Sequence, residues 1–202
     1  MITIVDYGLG NVGSVVNMFK RLGVKTVVTS ERSEIEQATK LLLPGVGHFD
    51  AAMKRIKELD LQGVLEEKVI EEKIPILGIC LGMQLLTNGS EEGIHRGFGW
   101  IDAETKKFSF ENLDLKVPHM GWNLVGISNS CQLTRDFEED FRYYFVHSYY
   151  VKVKETVHSM LKTNYGIEYD SGIYKDNIYG VQFHPEKSHK YGLKLLENFA
   201  GI

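Results

Sequence analysis

The sequence predicts an α/β fold, a doubly wound and mainly parallel sheet flanked by helices, with antiparallel strands in its C-terminal half. Three observations carry this. In the first half, short apolar runs alternate with amphipathic stretches of helical period, as in successive βαβ units. In the second half, aromatic and β-branched runs at 143–153 and 178–183 read as antiparallel strands. Between the halves, an apolar run ends in a turn flanked by glycines, and a helical pattern follows at 83–86.

Taken in order, 2–5 is a buried strand, and 11–22 is a helix with Val15, Val16, Phe19 and Leu22 inward. Strands follow at 26–29 and at 40–43, the latter ending at Pro44-Gly45. Residues 50–73 hold one or two helices with charged faces, and 74–79 is a fourth strand. Lys175-Asp176-Asn177 is a turn between two late strands. Ser188 is expected to cap a last helix that carries Leu195 and Phe199 inward. Neither repeats nor linkers interrupt the chain, so one domain spanning 1–202 is expected.

Composition narrows the function classes. With 43% apolar and 25% charged residues the chain is of ordinary globular type, large enough at 202 residues to bury a core. A net charge of −4 gives no electrostatic reason to expect nucleic acid or an anionic membrane. No apolar run approaches the roughly 20 residues that span a bilayer. Residues 1–6 lack a basic region and a cleavage site, so the cytoplasm is the expected location. Cys80 and Cys131 stand in unlike contexts and read as free thiols.

The segment richest in chemistry is Pro75-Ile-Leu-Gly78-Ile-Cys80-Leu-Gly82-Met-Gln84. It has the G-x-nucleophile-x-G form of a strand-to-helix elbow, with sulfur in place of a hydroxyl. Glycines two residues either side of Cys80 let strand and helix approach where a Cβ would clash. The turn sets the thiol at a helix start, which favours the thiolate. It also aims the Leu81 N–H at a developing oxyanion. A free cysteine is more often a buried structural residue; the paired glycines tip the balance here.

A nucleophilic thiol needs a base, and the base needs an orienter. Val181-Gln-Phe-His184-Pro-Glu186 offers both, because residues two apart on a strand face the same way. His-x-Glu alone would be weak among seven histidines, but the order Cys, His, Glu follows α/β-hydrolase logic. No Cys-x-x-Cys or His-Glu-x-x-His pattern supports a metal site. A rival reading comes from Gly8-Leu-Gly10-Asn-Val-Gly13, which fits the dinucleotide fingerprint, with Glu31 near the place of the ribose-binding acid. An NAD-binding oxidoreductase built on it would leave Cys80 and the His184–Glu186 pair without work.

Gly78-Ile-Cys-Leu-Gly-Met-Gln84 and Phe183-His-Pro-Glu-Lys-Ser188 resemble the two hallmark segments of the class I, triad-type glutamine amidotransferases. Asp6-Tyr-Gly-Leu-Gly-Asn11, Leu43-Pro-Gly-Val-Gly47, Pro118-His-Met-Gly-Trp-Asn123 and Tyr144-Phe-Val-His-Ser-Tyr149 resemble the HisH branch, the glutaminase subunits of imidazole glycerol phosphate synthases. The likeness extends over essentially the whole chain. It implies a Cys80, His184 and Glu186 triad that hydrolyses glutamine to glutamate and ammonia through a thioester. It also implies an oxyanion hole from Gly45, Val46, Gly47 and Leu81, in which the 44–47 peptides turn to admit an N–H. Glutamine would be seated by Gln84, His147, Ser148 and Tyr149.

Asn11, Trp122 and Lys187 would lie at a subunit interface near the ammonia exit, although Trp122 could equally be core or interface filling and Lys187 a solvated charge, with Asn11 a helix cap as the plainer reading. The resemblance implies no metal or organic cofactor. It implies a heterodimer with a HisF-type (β/α)8 cyclase that makes imidazole glycerol phosphate and AICAR for histidine biosynthesis. Such a barrel needs about 250 residues of its own. Gly99-Trp-Ile-Asp-Ala103 and Ser188-His-Lys-Tyr191 look more like paralogous subunits that supply ammonia for surface-polysaccharide sugar amidation, which is the alternative.

Overall fold

The structure, a computed structural model, describes residues 1–110, 115–137 and 140–202. Its first half comprises β1 (Ile2–Val5), α1 (Val12–Arg21), β2 (Thr26–Thr29), α2 (Arg32–Glu36), β3 (Leu41–Gly45), α3 (Phe49–Glu58), α4 (Gln62–Glu66), β4 (Ile76–Cys80) and α5 (Leu81–Leu85). Next come β5 (Gly89–Ser90), β6 (Ala103–Lys107), β7 (His119–Leu124), β8 (Gly126–Ile127), β9 (Arg142–His147) and β10 (Tyr149–Val153). The chain closes with β11 (Ser159–Tyr165), β12 (Ile167–Lys175), β13 (Ile178–Val181) and α6 (His189–Gly201).

The main sheet runs β2-β1-β3-β4-β13-β12-β10-β6-β5, and its first five strands are mutually parallel. Beyond β13 the pairing turns antiparallel through β12, β10 and β6. A separate antiparallel ribbon pairs β7 with β9. This is the expected fold class, with two corrections. The 178–183 run gives one strand that is antiparallel to β12 yet parallel to β4, so the parallel block draws a member from the C-terminal half. The 143–153 run is not one strand: it breaks at Ser148, leaving β9 in the ribbon and β10 in the main sheet.

Continuous apolar runs form strands here because both faces of the parallel block are covered. Leu41 and Leu43 point to one side, where they pack with Phe49, Ile56 and Leu65. Leu42 points to the other, with Phe19, Leu195 and Phe199. Side chains alternate with period two, so one run feeds two cores. The third strand outlasts its expected end because its pairing with β4 continues to Gly45 opposite Cys80. The charged-faced stretch yields α3 and α4, and α4 runs on into a π-helical turn at Glu67–Glu71. Asp176, with φ 53°, and Asn177 form the tight turn from β12 to β13.

Candidate active site

Register brings the chemistry to one edge. Gly45 stands opposite Cys80, and Val181 opposite Ile79, so the C-terminal ends of β3, β4 and β13 meet. That edge is where open α/β sheets bind their ligands. Cys80 takes φ 54° and ψ −109°, an unfavourable conformation for a side-chain-bearing residue that costs about 1–3 kcal/mol. The fold sustains it through two close approaches. A Cβ on Gly78 would lie 2.6 Å from the Gly82 carbonyl oxygen, and one on Gly82 would lie 1.9 Å from that of Leu43. The glycines are needed as expected, but Gly82 makes room for β3 and not for its own strand.

Three residues past β13 stands His184, only 1% exposed. Its Nδ1 is 2.7 Å from Glu186 Oε1. Sequence spacing found the pair for the wrong geometric reason: Pro185–Lys187 is a 3-10 turn, and that turn, not strand alternation, folds Glu186 back under the ring. Burial alone would lower the His184 pKa, but the Cys80 sulfur and the Glu186 carboxylate outweigh it and push it up to about 10. His184 Nε2 has no protein hydrogen-bond partner among the described residues.

The backbone beneath the ring is fixed from both sides. His184 N–H donates to the Tyr144 carbonyl at 2.9 Å. The Ser188 hydroxyl donates to the His184 carbonyl at 2.6 Å and accepts from the Tyr144 N–H at 3.0 Å. This corrects the expectation for Ser188, which sits at the N-cap position of α6 but makes no side-chain cap bond. Its oxygen is spent on holding β9 to the histidine segment.

The three strand ends open on a cavity of about 430 Å³. Cys80, His184, Val46, Gly47, Leu81, Gln84, His147, Ser148, Tyr149 and Lys187 all line it. Of the residues singled out in the sequence, Glu186 stands behind His184, and Gly45, Asn11 and Trp122 are not part of the wall. Pro118 and Val146, from two of the quoted motifs, also contribute, as does Glu92, to which no motif had pointed. Gly47 has φ 106°, a conformation that suits glycine. The Tyr7 hydroxyl donates to the Pro44 carbonyl at 2.6 Å. Burial and the nearby Cys80 sulfur raise the Tyr7 pKa, which keeps that hydroxyl a donor.

Gln84 and His147 line the wall with polar groups that also bond within the protein. Gln84 Nε2 donates to the Tyr149 carbonyl at 3.4 Å and to Gln182 Oε1 at 3.1 Å. His147 Nδ1 donates to the same Tyr149 carbonyl at 2.6 Å, and its Nε2 lies 3.2 Å from both His119 Nδ1 and the Tyr169 hydroxyl. Both ring nitrogens are therefore engaged within the protein. Burial lowers the pKa of His147 to about 3 and of His119 to about 4, so both rings are neutral around pH 7.

Outside the cavity, Met120, Trp122 and Leu124 form an exposed apolar stripe on β7. The Trp122 ring lies parallel to that of His189 at 5.6 Å, and Lys187 Nζ sits 5.7 Å from the Tyr144 ring centre. With 45% of its surface exposed, Trp122 is no core filler. Asn11 occupies the N-cap position of α1 without a side-chain cap bond, and α1 packs against the Pro185–Lys187 turn. In the glycine-rich loop, a Cβ on Gly10 would come 3.3 Å from Pro44 Cγ, so the loop lies against β3. Glu31 is exposed at the start of α2. Cys131 contacts Met160 through sulfur at 3.2 Å and is not paired with Cys80.

The family model described as Glutamine amidotransferase class-I matches residues 3–201. The chain belongs to the class I glutamine amidotransferase family. Within that family it is 54% identical to imidazole glycerol phosphate synthase subunit HisH 2 of Methanococcus maripaludis, over 98% of each chain. It is 47% identical to HisH 2 of Pseudomonas aeruginosa over the full length of both. Against the HisH subunit of Bdellovibrio bacteriovorus identity is 45%, again over both full lengths. A solved glutamine amidotransferase superposes with a TM-score of 0.74 at 16% identity, covering 100% of each chain. The PurLQS structure from Thermotoga maritima gives 0.70 at 17%, over 99% of this chain and 97% of that one. These two share the fold of the class I amidotransferases. The assignment leaves the dinucleotide reading of Gly8, Gly10 and Gly13 without support.

Proposed function

We propose that this amidotransferase is the glutaminase subunit of an imidazole glycerol phosphate synthase, with Cys80 as nucleophile, His184 as acid and base, and Glu186 as its orienter. One observation carries the reading: a strained, buried cysteine shares a cavity with a histidine whose far nitrogen is held by a carboxylate. The Cys80 thiolate attacks the glutamine carboxamide, and the oxyanion is met by backbone N–H groups of Leu81 and the Val46–Gly47 segment. His184 protonates the departing ammonia, leaving a glutamyl thioester. Water, deprotonated by His184, then attacks the thioester, releasing glutamate and returning the thiolate. Glu186 keeps the imidazole in the productive tautomer throughout.

Released into water at neutral pH, ammonia would become ammonium and lose its nucleophilicity. Direct delivery to a docked synthase avoids that loss. The partner in this reading is a HisF-type (β/α)8 cyclase, and the exposed stripe around Trp122, together with Lys187 and Asn11, is its docking face. The segments Gly99-Trp-Ile-Asp-Ala103 and Ser188-His-Lys-Tyr191 support a second reading, a paralogous subunit that feeds ammonia to surface-polysaccharide sugar amidation. Glutamate release by the chain alone, and then with its organism's HisF and that enzyme's ribulosyl substrate, separates the two. Strong stimulation supports histidine biosynthesis, and indifference to HisF supports the paralogue. In either case Cys80→Ala should lose glutaminase activity at least about a thousandfold while ammonia-dependent synthesis by the partner survives.

A further inference from the structure

Gln182 lies two residues before His184 and is fully buried. Its Nε2 donates to Cys80 Sγ at 3.7 Å, and its Oε1 accepts from Gln84 Nε2 at 3.1 Å. A glutamine amide can present either end to a neighbour, so what fixes its direction matters. Here the direction is set from outside. The Tyr149 carbonyl can only accept, so Gln84 must turn its NH2 toward it. The same NH2 then meets Gln182, which must answer with oxygen and turn its own NH2 toward the sulfur. His147 Nδ1 donates to the same Tyr149 carbonyl and adds a fixed group at the head of the chain. From Gln84 onward the donors therefore run in one sense, toward the nucleophile.

We propose that Gln182 is a positioning residue that donates an N–H to the Cys80 sulfur and holds the thiolate aimed at the substrate carbonyl. This rests on the reading of Cys80 as the nucleophile. An N–H donated to sulfur is stronger when the sulfur is anionic. In the attack the thiolate charge passes to the amide oxygen, and the bond weakens as the carbon–sulfur bond forms. The residue thus acts on the reactive form of the thiol more than on the acyl intermediate. Gln84, at the cavity wall, holds the direction of that donor, which links the substrate pocket to the sulfur.

The test is the rate of iodoacetamide alkylation of the full-length chain as a function of pH, followed on the Cys80 peptide by mass so that Cys131 does not interfere. Gln182→Met keeps the volume and removes the donor. It should slow alkylation at neutral pH roughly tenfold and move the profile to higher pH. Gln182→Glu keeps the shape and sets a carboxylate oxygen before the sulfur, so it should move the profile further in the same direction. Gln84→Met, which frees Gln182 to rotate, should give a smaller shift of the same sign. A purely packing role would leave the profile unmoved in the Gln182→Met chain, which keeps the volume and adds no charge, and that result overturns the proposal. Should the variants at 182 fail to fold, an unmoved profile in Gln84→Met overturns it equally. Glutamate release by Cys80→Ala is measured alongside. If it persists, the nucleophile assignment fails; if it is lost while the Gln182 profiles stay native, only the positioning role fails.

Discussion

The Ser188 hydroxyl holds the His184 carbonyl at 2.6 Å while accepting from the Tyr144 N–H, so one side chain fastens the histidine segment to the ribbon strand β9. Ser188→Ala leaves the Tyr144 N–H without its acceptor and the His184 carbonyl with only the Lys187 N–H as donor. The expected cost is about 1–3 kcal/mol of stability, read from denaturant unfolding. Glutaminase turnover should fall with little change in KM, because the histidine loses its aim and the cavity wall does not. An unchanged turnover would show that the ring is held by Glu186 alone.

In the proposed mechanism, turnover should fall at high pH where His184 gives up the proton that it hands to ammonia. With its pKa pushed up to about 10, the native limb is expected near that pH. Glu186→Gln removes one of the two groups that raise it, so the limb should move to lower pH, part of the way toward the ordinary histidine value of about 6.5. The rate should drop by about 10²–10⁴ through loss of the orienter, and less than in His184→Ala. A pH–rate profile of both variants checks the order and the direction.

Three buried histidines predict a stability maximum on the mildly acid side of neutrality. The folded pKa of His184 lies above the unfolded one, so its contribution is complete below about pH 6.5 and is lost as the pH rises toward about 10. His119 and His147 are depressed to about 4 and about 3, so their neutral forms cost nothing above about pH 6.5. Below that, the unfolded chain takes up protons that the folded one refuses, and stability falls. Tm should therefore peak near pH 6.5 and decline on both sides. In His119→Phe the acid-side decline should be shallower, and an identical slope would refute the assignment.

Much of this could be read from residue order, because it rests on local constraints. The glycines around Cys80 announce a close approach whatever they approach, and His184 and Glu186 sit within one short turn. The alternation of apolar runs gave the parallel block. What stayed hidden depends on partners far along the chain. Gln182 meets Cys80 across 102 positions, Tyr7 meets Pro44 across 37, and Ser188 meets Tyr144 across 44. A trace of Gln182 was visible as the one amide in the apolar run before His184, but neither spacing nor type reveals what an interior amide faces. Strand partners were hidden for the same reason: β13 follows a hairpin from β12, and its second neighbour is β4, about a hundred residues earlier in the chain.

The tight seats of Gly78, Gly82 and Gly192 have a genetic consequence. At Gly192, too, a Cβ would press on backbone, 1.8 Å from the Pro185 carbonyl oxygen. Every codon change that replaces a glycine adds at least one carbon, so at these three sites the code offers no gentle first step. A lineage can drift at the exposed stripe of β7 one base at a time, trading one apolar surface for another, while the elbow and the turn behind the histidine stay locked. Divergence in this chain is thus channelled toward its exposed surface and away from the elbow.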